Sequence, residues 1–170
     1  NKEAYIKAKK LFKSTIVKKK INFLEDSIKK IKCNNKKKIR NYLYFLEPIN
    51  NSIEFIALKK FLLFLKKNKI KGKIHIKFKL HPRENINKYK KILNIFNKYN
   101  YTIIGDTDLK NLFNWSQIIF GLRSYALVLG LKLKRPVYSL LPIKNFRNIL
   151  PYKVKILNKI NKKEILNIKK

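Results

Sequence analysis

With 170 residues, 45% of them hydrophobic and 12% aromatic, the chain is long enough for one domain with a core, too short for two large ones, and too apolar for an intrinsically disordered polymer. Its formal charge of +34 suits anionic partners, but only five of its 43 basic residues are Arg (Arg40, Arg83, Arg123, Arg135, Arg147). The rest are Lys scattered through every segment beside abundant Ile and Asn, which is what an A/T-rich genome leaves on drifting surfaces. Nucleic-acid readers favour Arg forks clustered on one face.

Cys33 stands alone, so neither a disulfide framework nor a cysteine zinc site is expected, and the expected compartment is a reducing cytoplasm. No apolar run approaches the ~20 residues that span a bilayer, and no signal peptide is visible. The excess of Lys would still favour phosphates and the acidic inner leaflet of a membrane, so a peripheral position at that face is compatible with it. The chain has no Met and is read as a fragment of a longer protein.

Residues 1 to 38 are polar and helical in pattern, with a thin apolar stripe of Ile16, Phe23, Leu24, Ile28 and Ile31 that needs a partner. They are read as a helical linker closed by the charged turn 32 to 38. From Arg40 strand and helix alternate. Tyr42 to Leu46 is a bulky apolar strand closed by Glu47-Pro48, and Asn51 stands three residues before Glu54 in a capping-box-like start. The helix to about Lys67 carries Phe55, Ile56, Leu58, Leu62, Leu63 and Leu65, and Lys71-Gly72 makes a turn. Ile74, Ile76, Phe78 and Leu80 alternate with His75, Lys77 and Lys79, as in a strand polar on one side.

His81-Pro82-Arg83-Glu84 ends that strand, and Asn85 or Asn87 caps a helix whose stripe is Ile86, Tyr89, Leu93, Phe96 and Asn100. Tyr101 to Ile104 is a strand stopped by Gly105-Asp106, and a short helix follows Thr107 to near Trp115. Gln117 to Phe120 is a strand, Gly121-Leu122-Arg123-Ser124 opens the helix from Tyr125 to about Lys134, and Val137 to Leu141 is a fifth strand. Val154 to Leu157 reads as an edge strand within an extension, 143 to 170, whose end has the pattern of a polar helix. Strands joined through helices by short right-handed crossovers form a mainly parallel sheet covered on both faces. The expected fold is therefore α/β, a Rossmann-like domain of about five strands over 39 to 142.

Such sheets bind ligands outside the carboxyl ends of their strands, where helices begin with unpaired N–H groups and a positive dipole end that suit a phosphate. Three strand ends carry unusual chemistry: Glu47-Pro48, His81-Pro82-Arg83-Glu84 and Gly121-Leu122-Arg123-Ser124. Pro82 restricts His81 to an extended conformation, which aims its ring out at the strand end beside Arg83. The Ser124 hydroxyl could donate to a phosphate, Gly121 would let backbone approach closely, and Arg123 could supply a fork, although Ser at a helix start is commonly just an N-cap. His75 has nothing beside it in the strand pattern and reads as structural or exposed. Asp106 and Asp108 read as a helix cap. The glycine fingerprints of dinucleotide and phosphate loops are absent from the sequence.

The order Phe45-Leu46-Glu47-Pro48, Lys79-Leu80-His81-Pro82-Arg83-Glu84, Gly105-Asp106, Ser124-Tyr125-Ala126-Leu127-Val128-Leu129 and Arg135-Pro136-Val137-Tyr138-Ser139 resembles the carboxy-terminal half of bacterial sialyltransferases of the polysialyltransferase and lipooligosaccharide type. The match covers roughly residues 40 to 142. Those enzymes have the GT-B architecture and use CMP-sialic acid, and their donor half carries an His-Pro motif and a later Ser-Ser or Ser-Thr motif that contact the CMP phosphate. His81-Pro82 agrees with the first motif and Ser124 with one serine of the second, whose other serine is missing because Arg123 and Tyr125 flank Ser124. Leu129 replaces the ribose-gripping Glu common in the wider GT-B class.

The resemblance implies a glycosyltransferase of surface polysaccharide or lipooligosaccharide synthesis. It also implies substrate-binding residues His81, Pro82, Arg83, Gly121, Arg123, Ser124 and Tyr125. His81 would stabilise charge on the departing phosphate, and no metal or other cofactor would be required. The implied partners are a nucleotide-sugar donor, a glycan acceptor and an amino-terminal α/β domain that supplies the acid-base residues. Two alternatives stand beside it: a UDP- or GDP-sugar enzyme on the same frame, and a basic nucleic-acid module, which would bind unrelated oligonucleotides with steep salt dependence. Tyr42, Tyr44 and Phe78, the aromatics such a module would stack on bases, fall within predicted strands, where core burial is their expected use.

Overall fold

The computed structural model describes residues 2–11, 40–67, 74–141 and 154–157. Helix α1 (Lys2–Leu11) is followed by β1 (Arg40–Phe45), α2 (Asn51–Lys67), β2 (Ile74–Lys79), α3 (Ile86–Leu93) and a single 3-10 turn at Asn94–Phe96. Then come β3 (Asn100–Ile104), α4 (Leu109–Trp115), β4 (Ile118–Gly121), α5 (Tyr125–Lys132), β5 (Val137–Ser139) and β6 (Lys155–Ile156). The stripe expected between Ile16 and Ile31 lies outside the described residues, as does the Lys71-Gly72 turn. The five expected strands are all present. Of the 143 to 170 extension only 154–157 is described, and it supplies β6, so among the described residues the sheet has six strands.

All strand pairs are parallel and the order is β3-β2-β1-β4-β5-β6. The molecule is a Rossmann-like α/β domain with helices on both faces. Central β1 and β4 are buried almost throughout, as a strand packed on both faces requires. One layer of core joins Tyr42, Tyr44, Ile76, Phe78 and Phe120 to α2 and α3, and the other joins Leu43, Phe45, Ile119 and Val137 to α4 and α5. Phe61 of α2 anchors the first layer, its ring centroid lying 4.6 Å from Phe120, 5.3 Å from Tyr44 and 5.8 Å from Phe96. Such tilted pairs add about 0.5–1.5 kcal/mol each beyond the area they bury. Tyr42, Tyr44 and Phe78 are thus core residues, with no ring face left for a base.

Three expectations need correcting. Helix α2 turns Glu54, Ala57, Leu58, Phe61 and Leu65 inward and leaves Ile56 and Leu63 exposed, because the hydrophobic positions outnumber one helical face and the sheet selects among them. Its first turn is capped by Asn50, whose Oδ1 accepts from the Ser52 amide at 2.9 Å, which frees Glu54 for another task. His75 is not alone: its ring meets Trp115 edge-on at 5.3 Å, and the Lys77 ammonium lies 4.2 Å from the centre of the Trp115 ring. The polar side of β2 therefore lies against α4. The other caps follow the sequence, Asn85 accepting from the Asn87 amide and Asp108 from the Lys110 amide.

Candidate functional site

In this strand order the chain leaves β1 toward β2 on one side, while β4 continues toward β5 on the other. The crevice between the carboxyl ends of β1 and β4 is the topological switch point, where this architecture binds ligands. Glu47 stands there, two residues past β1 and only 5% exposed. Its Oε1 accepts from the backbone amides of Leu122, Arg123 and Ser124, each at 2.8 Å. They are the amides of the turn that leads from β4 into α5, ending at the N-cap Ser124, so the carboxylate occupies a nest of N–H groups that could hold an anion. Gly121 packs beside this contact: a Cβ there would crowd Leu127 Cδ2 at 3.1 Å and stand in ordinary contact, at 3.5 Å, with Glu47 Oε1. Burial raises the Glu47 pKa, opposed by the three amides and by the charge of Arg123.

A second carboxylate fixes the first. Glu54, fully buried, accepts from the Glu47 amide through Oε1 at 2.7 Å and from the Tyr89 hydroxyl through Oε2 at 2.6 Å. Lys88 lies 3.7 Å from Glu54 and 2.7 Å from Glu84. Burial raises the Glu54 pKa, and burial together with Glu54 holds the Tyr89 phenol far above its usual range. The relay Tyr89–Glu54–Glu47–α5 links α3, α2 and α5 across the carboxyl edge of the sheet.

Beside the relay, on the α4/α5 face, opens a cleft of about 350 Å³. Lys79, His81 and Pro82 from the end of β2, Asp106 and Thr107 after β3, and Ser124 and Tyr125 at the start of α5 line it, over a floor that includes Phe45, Ala126 and Leu129. His81 and Ser124, far apart in sequence, thus face one cavity. His81 Nδ1 accepts from the Arg83 amide at 3.1 Å, so in the neutral ring the proton sits on Nε2, making that nitrogen a donor. The turn is closed by the Glu84 amide on the His81 carbonyl at 2.9 Å. Ser124 is the N-cap of α5, its Oγ accepting from the Ala126 amide at 3.2 Å. Its hydroxyl hydrogen remains a possible donor to a ligand.

The remaining site residues of the sequence reading divide. Pro82 and Tyr125 line the cleft. Arg83 is exposed in the turn, and its amide serves His81. Gly121 is buried, and the group closest to it is the Leu127 side chain, with Glu47 and Phe45 at ordinary contact distance. Arg123 lies in a separate cleft of about 340 Å³ with Pro48, Ile49, Asn50, Ile53 and Leu141.

Sequence reasoning passed over two residues. In the sequence Glu47 is only an unusual strand end, and Lys79 only one residue of the polar side of β2. Lys79 is only 7% exposed and lines the cleft. Their signal was position: both stand at carboxyl ends of neighbouring parallel strands, where polar side chains converge.

Fold and site together define a Rossmann-like α/β domain with its cleft at the carboxyl edge of the sheet. No protein-family model matches the sequence, and no curated protein matches it. Among solved structures the chain is similar to one described as accessory secretory protein 1,2 and 3 in Streptococcus pneumoniae, with a TM-score of 0.50 and 16% identity over 81% of this chain and 28% of that one. It is also matched to the UDP-GlcNAc 2-epimerase of Neisseria meningitidis bound to UDP-GlcNAc (TM-score 0.43, 20% identity, 97% of this chain and 42% of that one). A third match is Thermosulfurimonas dismutans KpsC, a beta Kdo 2,7 transferase (TM-score 0.42, 14% identity, 99% of this chain and 52% of that one). At these identities the first likeness is one of fold. The chain spans between 28% and 52% of the length of these proteins.

Proposed function

We propose that this domain is the donor-binding half of a GT-B glycosyltransferase of surface-polysaccharide or lipooligosaccharide synthesis, holding the nucleotide end of a CMP-activated sialic acid. The observation that carries the reading is the meeting of His81 and Ser124 in one cleft at the carboxyl edge of the sheet. His81 belongs to the pair that agrees with the first phosphate-contacting motif of the sialyltransferase resemblance, and Ser124 agrees with one serine of the second. His81 presents an Nε2 proton and Ser124 a hydroxyl, and both would meet charge as it builds on the departing phosphate. The scheme needs no metal. The base that activates the acceptor hydroxyl would come from an amino-terminal α/β domain, and the acceptor would be a glycan.

Among the described residues no helix is long and apolar enough to cross a membrane. The lysine-rich surface would favour an anionic bilayer at the cytoplasmic face. The nucleic-acid alternative loses its stacking platform, since Tyr42, Tyr44 and Phe78 are at most 1% exposed.

The test is calorimetric titration with CMP, UDP and GDP. CMP is expected to bind most tightly, and His81→Ala to weaken it about 10- to 100-fold. Ser124→Ala is expected to weaken it less and to lower stability by about 1 kcal/mol through loss of the cap. Preference for UDP or GDP would move the donor class, and absence of binding by all three would end the reading.

A further inference from the structure

The three amides of the turn leading into α5 already hold the carboxylate of Glu47, so that nest is closed to a phosphate in the cleft, and a cationic side chain is the natural complement to it. We infer that Lys79 supplies it, as the ammonium that binds the phosphate of the ligand together with His81. The inference rests on the function proposed above and names one more residue of that cleft.

Lys79 is the last residue of β2, on the side of the strand facing α4 and α5, and is withdrawn from water to 7% exposure. Its Nζ donates to the Leu80 carbonyl at 2.9 Å. An ammonium has three N–H donors, and for the other two no acceptor stands within reach among the described residues. Asp106 lines the same cleft but is not within ion-pair distance, and its charge only partly opposes the burial that lowers the Lys79 pKa. Lys88 is the contrast. It too is withdrawn, at 17% side-chain exposure, but two carboxylates meet it.

A buried cation without a counter-ion is costly, and such groups gather where a ligand completes them. A phosphate in the cleft would accept the two remaining N–H bonds and stabilise the charged ammonium. The opposite charges would also offset the desolvation that each suffers alone. His81, two residues further along, lines the same cavity with its Nε2 proton.

The test compares wild type with Lys79→Met and Lys79→Gln by titration with CMP, cytidine and inorganic pyrophosphate, and by thermal melting without ligand. CMP affinity is expected to fall about 10- to 100-fold in both variants, the range for a charge-assisted hydrogen bond, while cytidine affinity stays within about twofold. The Met variant is expected to melt no lower than wild type, because an uncompensated buried charge has been replaced by an apolar chain of similar length. Equal affinity of wild type and variants for CMP would overturn the assignment and leave the donor site standing. So would parallel loss of cytidine binding, or a melting point for Lys79→Met well below wild type, since either marks a structural lysine. If wild type binds no nucleotide the proposed function falls. Pyrophosphate then decides Lys79 alone: stabilisation of wild type but not of the variants supports it, and equal response sinks it.

Discussion

Removing the Glu47 carboxylate should unfasten α5 from the end of β1. Three backbone amides donate to one oxygen, each at 2.8 Å, and hydrogen bonds to a charged group are worth about 1.5–3 kcal/mol. A simple sum of about 4.5–9 kcal/mol is too large for three reasons. One oxygen is shared by three donors, burial of the carboxylate already costs stability, and the half-exposed Ser124 amide gains water once the carboxylate leaves. About 3–4 kcal/mol should remain for Glu47→Ala, near the low end of the cost of breaking a buried charged contact. In a domain of this size that corresponds to a fall in melting temperature of about 6–16 °C. Glu47→Gln keeps an acceptor oxygen where Oε1 stands and should cost less than about 1.5 kcal/mol. The assay is urea denaturation followed by circular dichroism. Inorganic phosphate provides a further readout, because the vacated amides form an anion site that should stabilise Glu47→Ala more than wild type. A Gln variant as unstable as the Ala variant would refute the reasoning, as would an Ala variant within about 1 kcal/mol of wild type.

Two further outcomes follow from the packing and the buried acids. A Cβ at Gly130 would lie 2.6 Å from Ile119 Cδ1 and 3.0 Å from Val137 Cγ2, so Gly130→Ala should lose about 1–3 kcal/mol to overpacking, less about 1 kcal/mol of gained helix propensity. Shortening Ile119 to Val in the same protein should recover part of the loss in chemical denaturation, and purely additive effects would argue against the contact. Glu47 and Glu54 both have raised folded pKa values, so the folded state holds more protons than the unfolded one between the two values. Their contribution to stability is therefore fully present below the ordinary carboxyl range and declines as pH rises through the folded values. His75, whose pKa burial lowers, acts oppositely and loses stability as pH falls. Stability measured against pH for Glu54→Gln and wild type should converge at the acid end and diverge toward neutrality, and a difference that grew on acidification would contradict the assignment.

How far the sequence reached can be judged element by element. The strand runs Tyr42 to Leu46 and Ile74 to Leu80 were legible because β-branched and aromatic residues repeat at period two or fill a short run bounded by turn residues. The cap at Asn85, the helix from Tyr125 and the edge strand near Lys155 were legible for similarly local reasons. His81 and Ser124 were legible as ends of elements. Their common cleft was not, since it depends on β1 lying between β2 and β4. Helix α2 shows the same limit, because Ile56 and Leu63 are as apolar as Phe61 and only the sheet decides which of them it covers.

The sequence by itself determined the alternation of strand and helix, the parallel α/β class and the strand ends at which chemistry would gather, because propensity, periodicity and turn residues act over a few neighbours. Tertiary structure decided what those ends do. It turned Glu54 from a cap partner into the support of Glu47, filled the amides of Leu122, Arg123 and Ser124 with a carboxylate 75 to 77 residues away, and drew Lys79 out of water beside His81. Such interactions depend on the register of nonadjacent strands, and burial sets their strength by removing the water that would otherwise compete with them.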